Sequence, residues 1–420
     1  MTTSTTSPPD PTATTSTAST SASTIPSQQS STPKTQETVP TRLLLLSDTH
    51  IRAHARTPLP FPIPSLPADV VIHAGDITDS STLSEFSLCL SYLRQLSAPL
   101  KLLIAGNHDY TLDLPIYSQL VEAQSNSTLG RLSRRKGLGE VGDAHKLLQE
   151  AEKDGIFYLE EGVHRFELAN GARLTVYASP ATPAFGSFGF QYTEEEGHVF
   201  DIPKEADVVI SHGPPRGVLD VSRLTRRSCG SVELWEAIRK VRPVLNVFGH
   251  VHEGWGAAVV RWPFAGSSQG AGEQEGMGGG DGNLKGSGEG KTKRGKGKKE
   301  KGEGMPEMTV LEDRRGVEEG WKDSKEERQK KREKVETVVR DGYYHLKYPD
   351  PEEDGREQTL FVNAAVPCAP GLAPWLVDIE LLRSDVKDNG ARIVAEERNG
   401  DRNPILREGL DATMGELQLS

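Results

Sequence analysis

Apolar residues along the chain come in short runs, and a knot of polar residues follows almost every one. Residues 43–46, 70–72, 102–105, 208–210 and 244–248 each read as a buried strand. Continuous apolar stretches of this length, bounded by turn-forming residues, suit a sheet covered on both faces. Between them the period changes. Phe86, Leu90, Leu93 and Leu96 recur near helical spacing and predict a helix over 84–96, and Leu234, Trp235, Ile238 and Val241 predict another over 232–241. A further helix is predicted around 144–153, with strands at 156–159, 163–168 and 173–178. Asn170-Gly171 marks a hairpin turn between the last two strands. Strand and helix periods alternating in this way predict a layered α/β domain. Two late strands, 359–362 and 375–382, are expected to complete its sheet.

Elsewhere the pattern lapses. Residues 1–40 are nearly all Ser, Thr, Pro and Ala, with no apolar face to set against the entropy of ordering, and are expected to form a disordered tail. Residues 265–340 turn Gly-rich, then Lys-rich, then crowded with Glu, Lys and Arg. They read as a low-complexity charged insertion in which any helix over 317–339 is exposed and held by weak i,i+4 pairs. Residues 384–420 read as a polar C-terminal tail. One domain, 41–264 and 341–383, is thus split by an insertion, which explains how a chain of 420 residues has only 35% hydrophobic residues.

Charge and cysteine content narrow the classes. A net charge of −11 argues against nonspecific nucleic-acid binding by the whole chain. Cys89, Cys229 and Cys368 are odd in number and widely spaced, so no disulfide framework is expected and a reducing compartment fits. Neither a membrane span nor a secretory leader is expected. This places the protein in the cytoplasm, with the Lys/Arg run 291–301 adding a nuclear reading against that of a solvated linker.

The polar knots carry the chemistry. They are Ser47-Asp48-Thr49-His50, Gly75-Asp76, Gly106-Asn107-His108-Asp109, Ser211-His212-Gly213 and Gly249-His250-Val251-His252. Open α/β sheets place their sites at the C-terminal ends of strands, where these residues fall. Carboxylate and amide oxygens mixed with imidazole nitrogens form a ligand set for Mn, Fe or Zn, and there are enough for two ions. Asp48 and His50, like His250 and His252, are two residues apart and can point to one side of an extended chain. Asp76 can offer one oxygen to each ion, and the alternative is that it caps the next helix, work for which 79–84 is better placed. The neutral amide of Asn107 leaves the site positive enough to attract phosphate. His108 diverges from Asn107 and is assigned to substrate, donating to a phosphoryl oxygen or to the leaving alkoxide. Asp109 reads either as the carboxylate that orients His108 or as a turn residue. Among the other histidines, His73 lies within a strand and reads as buried and neutral, while His54 sits in the loop after the first knot. Trp255 reads as packing rather than as a base-stacking platform.

Taken in order, the five knots resemble the calcineurin-like metallophosphoesterase superfamily, whose pattern is Asp-x-His, Gly-Asp, Gly-Asn-His-Asp/Glu, His and Gly-His-x-His. His212-Gly213-Pro214-Pro215, Ser179-Pro180 with Phe188-Gly189-Phe190, Arg242-Pro243 and the stretch 248–256 are similar to the metallophosphoesterase-domain-containing subfamily related to the 239-type brain proteins. The resemblance implies a four-layer sandwich, two mixed β-sheets flanked by helices. It implies one metal on Asp48, His50, Asp76 and His252, a second on Asp76, Asn107, His212 and His250, and His108 as the catalytic histidine. Because His250 is present, a complete site is expected. Ala181 and Ala184 stand where the subfamily usually carries aromatics, a departure in the substrate wall.

The implied function is a phosphodiesterase using hydroxide between two divalent ions, Mn foremost with Fe, Zn or Mg as alternatives, with cyclic nucleotides as the suggested substrates. Gly75-Asp76-Ile77-Thr78-Asp79-Ser80-Ser81 lacks the Gly-Asp-x-x-Asp-Arg-Gly continuation of phosphoprotein phosphatases. The alternatives are a non-catalytic scaffold that recruits proteins through the tails or insertion, a phosphomonoesterase, or a nuclease. The expected partner is a small phosphoester, with neither membrane nor nucleic acid.

Overall fold

Leu43, Leu44, Leu45 and Leu46 end β1 (Thr38–Leu46), and all four are buried because this strand lies inside a sheet with both faces covered. The computed structural model describes residues 37–54, 62–125, 137–186, 188–223, 225–263, 306–346, 357–366, 372–384 and 392–398. Expectations for residues 1–36, for 264–305 including the Lys/Arg run, for Cys368 and for 399–420 lie outside the described residues.

In the first sheet, β1 runs parallel to β2 (Val70–Ala74), which runs parallel to β3 (Leu100–Ile104), which runs parallel to β4 (Ile156–Tyr158). On its other side β1 pairs antiparallel with β15 (Trp375–Leu382), and β13 (Tyr344–Leu346) closes that edge. The second sheet has eight strands in the order β12 (Glu307–Asp313), β11 (Gly256–Arg261), β14 (Gln358–Asn363), β10 (Leu245–Phe248), β9 (Val208–Ser211), β6 (Arg173–Ser179), β5 (Gly162–Glu167) and β16 (Arg392–Arg398). Both sheets are mixed. A short parallel pair, β7 (Thr182–Pro183) with β8 (Gln191–Tyr192), stands apart from them.

Side-chain alternation sorts the second sheet into two faces. Val208, Ile210, Leu245, Val247, Leu360 and Val362 join the strands of the first sheet in one large core. The intervening Val209, Phe248 and Phe361 form a second core with Leu234 and Ile238 of the helix Val232–Val241. Helices therefore cover the outer faces, as in α1 (Leu83–Leu93), α2 (Leu114–Ser125), α3 (Asp143–Gln149) and this fourth helix, α4. The N-cap of α1 is Thr82, whose hydroxyl accepts from Glu85 N–H while the Glu85 carboxylate reaches back to Thr82 N–H. That reciprocal pair satisfies two otherwise orphaned donors, so the cap lies within 79–84 and Asp76 does not do that work.

Three boundaries differ from those read in the sequence. β1 already begins at Thr38, inside the stretch assigned to the N-terminal tail. β12 and α5 (Lys325–Asp341) fall inside the stretch assigned to the insertion, and β16 inside the C-terminal tail. Backbone pairing leaves no compositional mark: β12 shows mostly exposed side chains, yet its main chain pairs with β11 from Glu307 to Asp313. α5 is as exposed as its sequence predicts, with Val338 its buried residue, and is held by a Ser324–Glu327 capping box and a left-handed Gly342 at its end. No described helix is long and apolar enough to cross a membrane.

Candidate metal centre

The strands deliver their polar ends to one place. Past Leu46 and Ala74 the chains stay zipped, with Asp48 N–H donating to the Gly75 carbonyl at 2.9 Å and His50 N–H to the Asp76 carbonyl at 3.1 Å. Asp48, His50, Asp76 and His250 all hold left-handed backbone, with φ of 54°, 39°, 52° and 65°. Non-glycine residues adopt such angles only where the surroundings impose them, and such strain gathers at functional sites.

All seven sequence-predicted ligand residues converge. Ligand atoms of Asp48, His50, Asp76 and His252 lie within 4.8 Å of one another, and so do those of Asp76, His212 and His250. Asp76 belongs to both groups. Its Oδ2 faces His50 Nε2 at 3.5 Å and its Oδ1 faces His212 Nε2 at 3.3 Å. Asn107 Oδ1 lies 3.0 Å from His212 Nε2, which adds the amide to the second group. Glycines make the approach possible: a Cβ on Gly249 would stand 1.9 Å from Asp48 Oδ2, and one on Gly106 would stand 2.3 Å from Asp76 Oδ1.

The donors fit cations better than they fit each other. His50 Nε2 and His252 Nε2 face one another at 3.1 Å beside two buried carboxylates, and at most one proton can serve that contact. His50 Nδ1 is buried without a hydrogen-bond partner among the described residues. Oxygen and imidazole donors in this mixture suit Mn, Fe or Zn. Burial by itself would raise the Asp48 carboxyl, but the hydrogen bond and charge of His252 more than offset it and bring the group down to about 2. Asp76, also buried, is held well below the carboxylate range by His212. Burial likewise disfavours a charged His212, yet the Asp76 charge and hydrogen bond raise it to about 9. Without a cation, protonated imidazole compensates the carboxylates.

His108 stands at the rim. Its backbone N–H donates to Asp76 Oδ1 at 2.8 Å, its Nδ1 faces the Asp79 carbonyl at 3.0 Å, and its ring stacks on Phe188 with centroids 4.8 Å apart. Gly189 N–H donates to the Asn107 carbonyl at 3.1 Å and so fixes the Phe188 loop. The expectation that Asp109 orients His108 is corrected. Asp109 is fully buried and accepts from Ile77 N–H, Thr78 N–H, the Thr78 hydroxyl and Gly106 N–H, tying the second and third knots together. The group that orients His108 is a main-chain carbonyl, which no residue-type reading reveals.

Beside His250 and His252 opens a cleft of about 680 Å³, bordered by Ala184, Phe185, Tyr192, Arg216 and Glu253. Phe185, 62% exposed, and Phe188 supply aromatic surface near the alanines flagged in the sequence. Trp255 is buried and stacked on Trp375 with centroids 4.5 Å apart, as packing predicts. His54 is exposed and lies outside both ligand groups. Sequence reasoning missed Arg314, which reaches out of the insertion to the His252 carbonyl at 3.3 Å; one arginine in a charged segment carries no signal.

The sequence model of the calcineurin-like phosphoesterases matches residues 41–254, half of the chain and the stretch that holds every candidate ligand. The chain belongs to that family. This family member is 33% identical over 220 residues to metallophosphoesterase domain-containing protein 1 of Homo sapiens, a match covering 51% of the chain and 62% of the relative. It is also 33% identical over 223 residues to the probable rhamnogalacturonate lyase C of Emericella nidulans, covering 53% of the chain and 18% of that protein. The chain spans less than two thirds of the length of these curated relatives. Among solved structures it is similar to TT1561 of Thermus thermophilus, at 10% identity and a TM-score of 0.29, over 50% of the chain and 82% of that one.

Proposed function

We propose that the protein is a metal-dependent phosphodiesterase with a two-cation centre. The reading is carried by Asp76, whose two oxygens face two different sets of imidazole nitrogens. Two divalent cations, for which the donor mixture suits Mn, Fe or Zn, would supply Lewis-acid charge for a phosphoryl group and acidify a water molecule.

The chain's own residues do the rest. Asp48, His50, Asp76 and His252 would hold one cation, and Asp76, Asn107, His212 and His250 the other. The Asp79 carbonyl requires a proton on His108 Nδ1, which leaves Nε2 as the nitrogen available to a phosphoryl or leaving-group oxygen. Stacking on Phe188 holds the ring plane. The Phe185–Tyr192 cleft gives room for the organic group of a second ester, which favours diesters over monoesters.

Hydrolysis of a generic aryl phosphodiester with added Mn, compared between the wild type and His108→Ala, tests the reading. Loss of a general acid is expected to lower kcat by about 10²–10⁴-fold, and equal rates would remove the role. Cyclic nucleotides belong in the same substrate panel. A scaffold reading draws on Trp321, 85% exposed just before α5; it predicts metal uptake without turnover on any diester of the panel.

A further inference from the structure

We propose that His73 is a positioning residue of the metal centre, acting through Thr49 to fix the loop of Asp48 and His50 against the loop of Asp76. The inference rests on the metal reading above and concerns a side chain outside both ligand groups.

His73 lies near the end of β2, fully buried, where an aliphatic side chain like those of its strand neighbours would pack without any polar atom to satisfy. Instead its Nε2 lies 2.9 Å from Thr49 Oγ1. The Thr49 hydroxyl has a single proton, which goes to the Ile77 carbonyl at 3.1 Å. Thr49 therefore accepts from His73, and the imidazole must carry its proton on Nε2. That leaves Nδ1 buried with no hydrogen-bond partner among the described residues, a polar cost that a packing role alone does not require.

The chain His73–Thr49–Ile77 crosses between two ligand loops. Asp48, His50 and Ile51 donate their backbone N–H groups to the carbonyls of Gly75, Asp76 and Ile77. At Thr49 the hydroxyl makes the tie to the Asp76 loop. The residues on either side of it, Asp48 and His50, both hold left-handed backbone. Loss of the hydroxyl tie leaves the backbone bonds of Asp48, His50 and Ile51 to hold the two strained residues by themselves, and both ligands are expected to keep their aim at Asp76 less firmly. His73 restrains the hydroxyl, as hydrogen-bonding partners behind metal ligands generally do.

Three single variants and one double test this. His73→Phe keeps a ring and removes the donor, His73→Gln restores a donor near the Nε2 position, and Thr49→Val removes the acceptor. Mn and Zn affinities are measured by competition with a chromophoric chelator, with kcat and KM at saturating Mn and apo-protein Tm alongside. His73→Phe and Thr49→Val are each expected to weaken metal binding by about 10–100-fold and to lower kcat more than KM. His73→Gln is expected to recover most of the loss, and His73→Phe/Thr49→Val to be no worse than either single variant. Wild-type metal affinity in His73→Phe overturns the proposal, and so does a His73→Gln as weak as His73→Phe. If His73→Phe fails to fold, wild-type affinity in Thr49→Val overturns it. Wild type that binds metal without turnover sinks the phosphodiesterase reading alone, and wild type that takes up no metal sinks both.

Discussion

Asp76 carries an unusual electrostatic load for one side chain, being 2% exposed yet faced by nitrogens on both oxygens. Asp76→Asn keeps the shape and removes the charge that both cations would share. Metal affinity is expected to fall by at least about 100-fold, read by metal content after gel filtration. Protons should leave as metal enters, because His212 is raised to about 9 in the cation-free protein and must be neutral to ligate. Metal affinity is therefore expected to rise with pH up to about 9, by as much as tenfold per pH unit, and calorimetry in buffers of differing ionisation enthalpy measures the released proton. Gly249→Ala would press a methyl group into Asp48; overpacking of this kind costs about 1–3 kcal/mol, seen as a lower Tm together with lost metal. The ligands themselves were legible in the sequence because each sits at the end of an apolar run. The Asp79 carbonyl, Phe188 and Arg314 were not, since their relation to the site exists only in space.

Elements show the same division. Strands buried on both faces announce themselves as unbroken apolar runs, and β1, β2, β3, β9 and β10 were readable for that reason. β12 is joined by its backbone and leaves its side chains in water, while β7 and β8 are two residues each, too short for any period to register. The insertion accordingly has two parts with different consequences. Removing 265–305 with a short linker in place spares β12 and α5, and Tm is expected to change by no more than a few degrees. Removing 265–340 strips β12 from the edge of β11 and takes Arg314 from the His252 carbonyl. The expected loss is on the order of 3 kcal/mol, measured by denaturant titration, with weaker metal binding in addition.

At the scale of the whole molecule, burial of Asp48 and Asp76 links metal content to stability. A chelator is expected to lower Tm, and added Mn to raise it by the free energy of binding, about 2.7 kcal/mol at one hundred times the dissociation constant. A Tm insensitive to both would mean that the buried carboxylates are compensated by His212 and His252 alone. The order of strands carries a further implication. β14 lies between β10 and β11, β15 borders β1, and the Asn363 side chain donates to the carbonyl of Val251, between His250 and His252. A nascent polypeptide that has already emerged past His252 still lacks the strand on which that loop rests. On the metal reading proposed above, cation capture is expected to wait until translation has passed Leu382, and ribosome-bound chains halted before that point are expected to take up no metal.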